Sequence, residues 1–489
     1  MLEGRTKVGF QSMLGRVAVT WLPRLAILGA LPLGVIVFLA SQRFAGSEIL
    51  IFLIALGFLP VLALCAVKFD FMMLIAFCLF SLVRLEPAPS DVLFIVLLGV
   101  GLVSGRLSLY TTKDALSIHL VLWAFLSANL LSMIGVIPVF RSIRFFMITA
   151  YMIAFFYFMK MYVTSSKAMR NLVFGYLVSA IVAISLVGLG YLGVGPSAEL
   201  FIFWGFRAAG FFKDPNVFGP FLVPMVIWLL DEILNPYFFP RLSCLKFLGV
   251  AALSVGVFAS FSRGAWANLG VSFLIYSLLT VLAARGKNRS RSVLILSSLF
   301  LGSLLLMGTF VLWKDLERSF VSRSALLQSY DTRRIGRQLS GIEVGLSRLS
   351  GVGPGRWAHA HSLYVRTLAE QGVLGLFPLL LLLLVLLKNI FRTALQETDK
   401  RYGLSAKVPA ASLVGLLVSS FAVDTIHWRH FWLILAMAWV VSTAEATAPP
   451  LASYEAQSEL QRVRPINNLY SRPESEQLSV KSQDRMFKR

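Results

Sequence analysis

The stretch Gly351–Gly372, GVGPGRWAHAHSLYVRTLAEQG, holds two of the five histidines of the chain, His359 and His361. An imidazole with an ordinary pKa of about 6.5 can take a proton from a hydroxyl near neutral pH. Gly351, Gly353 and Gly355 surround Pro354 and predict a tight turn that presents His361. A short helix is expected over 362–371, with Gly372 as its C-cap. These glycines do not form a phosphate loop, because no Gly-Lys-Ser/Thr follows and no strand precedes them. The plain alternative for either histidine is an interfacial ring bonded to backbone.

The second kind of chemistry is anion binding. Arg263, in ASFSRGAW, sits between two apolar runs. An arginine there is costly unless it is paired or faces a polar cavity, and its planar fork suits a phosphate. Arg207, Lys213 and Asn216 fall in RAAGFFKDPNVFGPFL. Asp-Pro-Asn is turn chemistry, and Asn216 is expected to cap a helix starting at Val217. The N-terminus of that helix would offer N–H groups and a positive dipole end. Arg333, Arg334 and Arg337 lie in DTRRIGRQ, and Arg429 in DTIHWRH. Each alone reads equally as a snorkelling helix-end cation. His359, His361, His427 and His430 match no familiar metal-ligand spacing, so neither a metal nor a cofactor is expected.

What must position these residues is a membrane bundle. The chain has 489 residues, of which 57% are hydrophobic and 14% charged, with mean hydropathy +0.77. Soluble domains carry about 25% charged residues. The pattern predicts an all-α polytopic membrane protein of about 12–14 transmembrane helices with one large, partly helical periplasmic loop. About fourteen spans are expected, near 25–41, 47–66, 69–84, 91–105, 115–135, 143–163, 171–194, 217–234, 245–261, 265–284, 292–313, 372–390, 408–424 and 431–446. Expected segments are an N-terminal tail (1–24), a bundle (25–313), a loop (314–371), a second bundle (372–446) and a disordered tail (447–489).

The basic loop RGKNRSR, 285–291, should be cytoplasmic. Alternation then places 160–170, 235–246, 388–407 and both termini on that side. It places 195–216, Arg263, 314–371 and 425–430 on the other. Cations concentrated at the outer face run against the usual bias, which suits an anionic ligand held there. The net charge of +21 fits anionic lipid better than nucleic acid, for which no motif is present. Cys65, Cys78 and Cys244 have no metal or disulfide spacing.

In their order these segments resemble the O-antigen ligase and O-antigen polymerase superfamily, membrane glycosyltransferases that use polyprenyl-diphosphate-linked saccharides. RAAGFFKDPNVFGPFL resembles its Arg…Gly-Phe…Pro-Asn segment, FSRGAW its Ser-Arg-Gly turn, and TRRIGRQ with GVGPG its large loop. HSLYVRTLAEQGVLGL resembles its His-rooted helix, with Ser362 where Asn is frequent. The resemblance covers about 200–445. It implies an inverting, metal-independent transfer in the bacterial cytoplasmic membrane, at the periplasmic face. The donor would be undecaprenyl-diphosphate-linked saccharide and the acceptor a glycan. Other polysaccharide assembly proteins would be further partners. Arg263 with Arg333 or Arg334 would hold the diphosphate, and His361 would serve the acceptor. Arg207, Lys213, Asn216, Arg337 and Arg429 would support the substrate. Polymerase and ligase differ in acceptor; polymerase is the leading expectation. A lipid-linked glycan flippase is the alternative of another class, disfavoured because the span centres are nearly free of charge.

Overall fold

The computed structural model describes residues 60–107, 116–137, 139–194, 196–283, 329–396 and 400–443, with isolated positions between 295 and 312. The expected tails, the spans at 25–41 and 292–313, most of 47–66 and the loop 285–291 lie outside the described residues. The chain is mostly helical, as an all-α membrane protein should be.

The helices are α1 (Pro60–Val67), α2 (Phe69–Cys78), α3 (Pro89–Val103), α4 (Leu116–Leu131), α5 (Val139–Tyr162) and α6 (Ser166–Leu192). A short α7 (Ser197–Phe201) leads into a two-stranded antiparallel hairpin, β1 (Ile202–Phe203) and β2 (Arg207–Ala208). Then come α8 (Pro215–Leu234), α9 (Ser243–Ala259), α10 (Arg263–Ala283), α11 (Ser329–Ser347), α12 (Leu363–Gln396), α13 (Lys407–Ser419) and α14 (Arg429–Thr443). Among the described residues α5, α6, α8, α10 and α12 are long and apolar enough to cross a bilayer, and α1 with α2 could form a sixth crossing bent by 115°. Helices α3, α4, α9 and α13 are apolar but shorter.

The span expected at 69–84 is helical only as far as Cys78. Beyond it the backbone finds other partners. Ser81 N donates to Ser179 Oγ at 2.7 Å and Arg84 N to Phe211 O at 2.8 Å. Bonds of this kind let non-helical chain persist inside a bundle. The tiny hairpin was not expected, and it lies in the polar connection before α8.

One apolar core runs from α1 to α14. The two parts separated in sequence by the polar loop are interleaved in space: α12 packs on α4, α13 on α10, and α14 on α5. Gly415 brings α13 close to α10, since a methyl there would fall 2.0 Å from Ser272 Oγ. Close approach through small residues is the main attraction available between helices in lipid.

Side-chain pairs tie the helix ends into two opposed groups. At one end Lys400 pairs with Asp231 at 2.7 Å and Glu232 at 3.1 Å, and Lys167 with Asp70 at 2.6 Å. Burial opposes the charge on Lys400, but the two carboxylates overcome it and hold its pKa up. At the other end lie the starts of α8, α10, α12 and α14 and the whole of α11, joined by the pairs described below.

Helix α12 is two helices fused across Gly372, whose φ of 64° and ψ of −166° only glycine adopts readily. The preceding loop runs across this break. Val352 N donates to Ala369 O at 3.0 Å and Gly353 N to Glu370 O at 2.9 Å. The loop thus satisfies carbonyls that the interrupted helix leaves open. A methyl on Gly372 would lie 2.0 Å from Leu349 O. Gly372→Ala is therefore expected to lower the apparent melting temperature in detergent by several degrees, from strain of about 1–3 kcal/mol plus the clash. Gly270→Ala in α10, where a methyl meets nothing within 4 Å, should leave it equal or higher. Equal melting of both variants would contradict the assignment of the break.

Candidate functional site

His361 lies in the turn that leads into α12 and has a positive φ of 50°. Such a backbone costs about 1–3 kcal/mol for a residue with a Cβ, so the surroundings must enforce it. On its C-terminal side, Leu363 N donates to Ser420 O at 3.0 Å. Ser362 Oγ accepts from Val365 N at 3.5 Å, so this serine does the capping work expected of Asn or Ser at a helix start. On its N-terminal side, Ala360 N donates to Trp357 O at 3.1 Å.

The half-buried His361 ring faces charges from two helices. Burial pushes its pKa below the ordinary value, Arg334 and Arg337 push it further down, and Asp214 opposes them. The neutral imidazole is therefore favoured at neutral pH. His359 is exposed.

Helix α11 carries the arginines. Arg334 Nη1 donates to Ala422 O at 3.4 Å, and Gln338 Nε2 to Phe421 O at 3.3 Å. The Arg337 carbonyl accepts from Trp357 Nε1 at 3.3 Å. Arg333 is exposed and does not figure among the charges acting on His361. The sequence left Arg333 and Arg334 equivalent; of the two, Arg334 acts electrostatically on His361, as does Arg337.

Arg263 begins α10, and its Nη2 donates to both carboxylate oxygens of Asp331, at 2.5 and 2.7 Å. Its side chain is 31% exposed, so the pair is reachable from outside. The carboxylate occupies the guanidinium face that a phosphate oxygen would take.

Arg207 is buried. Its Nε donates to Ser260 O at 3.1 Å, its Nη2 to Asn216 Oδ1 at 3.1 Å, and it lies 5.6 Å from the Trp204 ring. It ties β2 and the end of α9 to the first turn of α8. Asn216 is not the cap of α8. Asp214 is, accepting from Asn216 N at 2.8 Å, and the helix starts at Pro215. Proline is favoured at the first helical position because it lacks the N–H that would otherwise go unpaired. Lys213 pairs with Glu86, and this bond is the main reason the Glu86 pKa is lowered.

Arg429 makes two bonds to Asp91, which also accepts from Tyr151 Oη at 2.8 Å. This fixes the start of α14 to the start of α3. The two histidines nearby are inward-facing. His427 accepts or donates at 3.1 Å with Thr149 Oγ1, and burial, then Arg366, pushes its pKa down to about 3. His430 packs against Phe221 and Trp428. Among the described residues no group of three or more His, Cys, Asp or Glu could hold a metal ion.

Sequence reasoning passed over the acids. Arg366 is buried, donates from Nε to Glu370 Oε1 at 3.0 Å, and also bonds Asp424. Glu370 Oε1 accepts in turn from Trp357 N at 2.9 Å. The loop before His361, the first turns of α12 and the turn before α14 thus meet on one arginine. The four-residue spacing of Arg366 and Glu370 was a readable signal.

Compared with known protein families, characterised proteins and solved structures, the chain gives no match.

Removing the hub arginine strands the buried Glu370 carboxylate and takes a partner from the partly buried Asp424. Arg366→Ala is expected to cost about 3–5 kcal/mol and to collapse folded yield or apparent melting temperature. Arg263→Ala removes a guanidinium that is 31% exposed and should cost less, although it leaves the buried Asp331 without this partner. A stable, fully folded Arg366→Ala protein would remove the clamp from the account.

Proposed function

We propose that the chain is a membrane glycosyltransferase that moves a saccharide from undecaprenyl diphosphate to an acceptor glycan. The observation that carries this reading is the grouping at one bundle end of a neutral-leaning His361 with Arg334, Arg337 and the reachable Arg263. A base for a hydroxyl and cations for a diphosphate leaving group are the two things such a transfer needs. The order of motifs, which resembles the O-antigen ligase and polymerase superfamily, points the same way. The site would face the periplasm in a bacterial cytoplasmic membrane, on the charge distribution of the loops.

In this mechanism the neutral imidazole of His361 accepts the proton of an acceptor hydroxyl. The hydroxyl oxygen forms a bond to the anomeric carbon, and the bond from that carbon to the diphosphate oxygen breaks. The bonding pair leaves with undecaprenyl diphosphate, whose growing charge Arg334, Arg337 and Arg263 stabilise. Arg263 exchanges Asp331 for the diphosphate as the donor enters. In-line attack inverts the anomeric centre. Arg207 and Arg429 act by positioning, since both are already bound to backbone or acid. Polymerisation of lipid-linked repeat units is the favoured use; ligation to a lipid A core or another acceptor would use the same chemistry.

Purified protein supplied with an undecaprenyl-diphosphate glycan should consume it. Arg263→Ala and His361→Ala should each lower turnover by about 100-fold or more, the scale of a lost base or charge stabiliser. Equal turnover in all three proteins would sink the assignment. Turnover undiminished by chelator is expected; loss rescued by a divalent ion would replace arginine by metal.

The acid limb of the pH–rate profile should lie below the ordinary histidine value of about 6.5. The sign follows from the neighbours: removing a positive charge makes protonation easier. Arg334→Gln and Arg337→Gln should each move the limb upward. A limb that stays in place would show that the titrating group is not this histidine.

A further inference from the structure

A cavity of about 680 Å³ opens at the end of the bundle opposite to His361, between the α1–α2 bend and the start of α6. No residue of the proposed transfer site lines it. Lys68, at the non-helical bend, contributes to the wall, as do Arg106 and Lys167. Asp70 is the one acid in the lining, and it is held by Lys167 at 2.6 Å. The guanidinium of Arg106 lies 5.6 Å from the centre of the Phe69 ring, which fixes it at the rim. Three cations against one acid leave a net positive pocket.

The polar floor is built. Asn171 Nδ2 donates to Asp70 O at 3.3 Å and to Tyr162 Oη at 3.5 Å. The rim is apolar, with Val67 69% and Phe71 55% exposed. In a bilayer such side chains meet acyl chains. A cationic pocket with an apolar rim, at the basic-loop end of a membrane bundle, matches one ligand chemistry: a phosphate group carried on a lipid.

We propose that this cavity binds the headgroup of an anionic phospholipid, with Lys68 and Arg106 on the phosphate and Val67 and Phe71 against the chains. The ligand would brace the α1–α2 bend against α6.

The test uses the full-length protein in mild detergent, with lipid retention read by native mass spectrometry. Phosphatidylglycerol is compared with phosphatidylcholine, and sn-glycerol 3-phosphate serves as the soluble phosphate. Wild type should retain phosphatidylglycerol over phosphatidylcholine, and glycerol phosphate should not displace it. The double variant Lys68→Gln/Arg106→Gln should weaken retention about ten-fold or more, for two cations lost near a phosphate. Lys388→Gln, an exposed cation on α12, should change nothing. If the double variant misfolds, the single Lys68→Gln carries the comparison. Three results would overturn the proposal: no headgroup preference in wild type, unchanged retention in the variants, or displacement by glycerol phosphate, which would make this a soluble-phosphate site.

Discussion

A buried arginine clamp organises the end of the molecule where His361 lies. Arg366 bonds Glu370 on its own helix and Asp424 on the turn before α14, while Glu370 holds Trp357 of the glycine-rich loop. Charges are tolerated here because two carboxylates flank one guanidinium, Glu370 at Nε and Asp424 at Nη1. A pair half as well satisfied would cost more in desolvation than it returned. Five residues upstream sits His361, whose positive φ needs fixed chain on both sides. The clamp fixes that chain, and the bonds of Val352 and Gly353 to the broken helix fix the loop beneath it.

Cations at this end divide by what already holds them. Arg207 and Arg429 are bound to carbonyls and carboxylates that join helices, so their loss acts on shape. Lys213 neutralises Glu86 on the rim. Arg334 and Arg337 bear on His361, and Arg263, 31% exposed, is held by Asp331. Arg263, Arg366, Arg429 and Lys213 answer acids at the same end, Arg207 answers a carbonyl and an amide, and Arg334 and Arg337 bear on the histidine.

Much of this was legible in the sequence. Apolar runs located the helices, since a bilayer demands length and hydrophobicity whatever the packing. Gly372 announced a helix end, because only glycine suits its φ and ψ. The short helix before it, Leu363–Gln371, followed from the same residue. The partners did not follow. Asp91 and Arg429 are 338 positions apart, and Asp331 and Arg263 are 68 apart. Neither pair has a spacing that a helix or turn would predict. Reading the cations without the acids made every outer arginine look available. The cap of α8 was misplaced from Asp214 to Asn216 because both residues suit the role, and Pro215 decides between them only through its fixed φ.

We propose a division of labour, with arginines for the donor diphosphate and His361 for the acceptor hydroxyl. Equilibrium binding of undecaprenyl diphosphate, without acceptor, tests it most directly. Arg263→Ala and Arg334→Ala should each weaken binding by about ten-fold, the scale of one lost charge-assisted contact. His361→Ala should bind as wild type does. Equal affinity in all the arginine variants, or a loss confined to His361→Ala, would contradict the account.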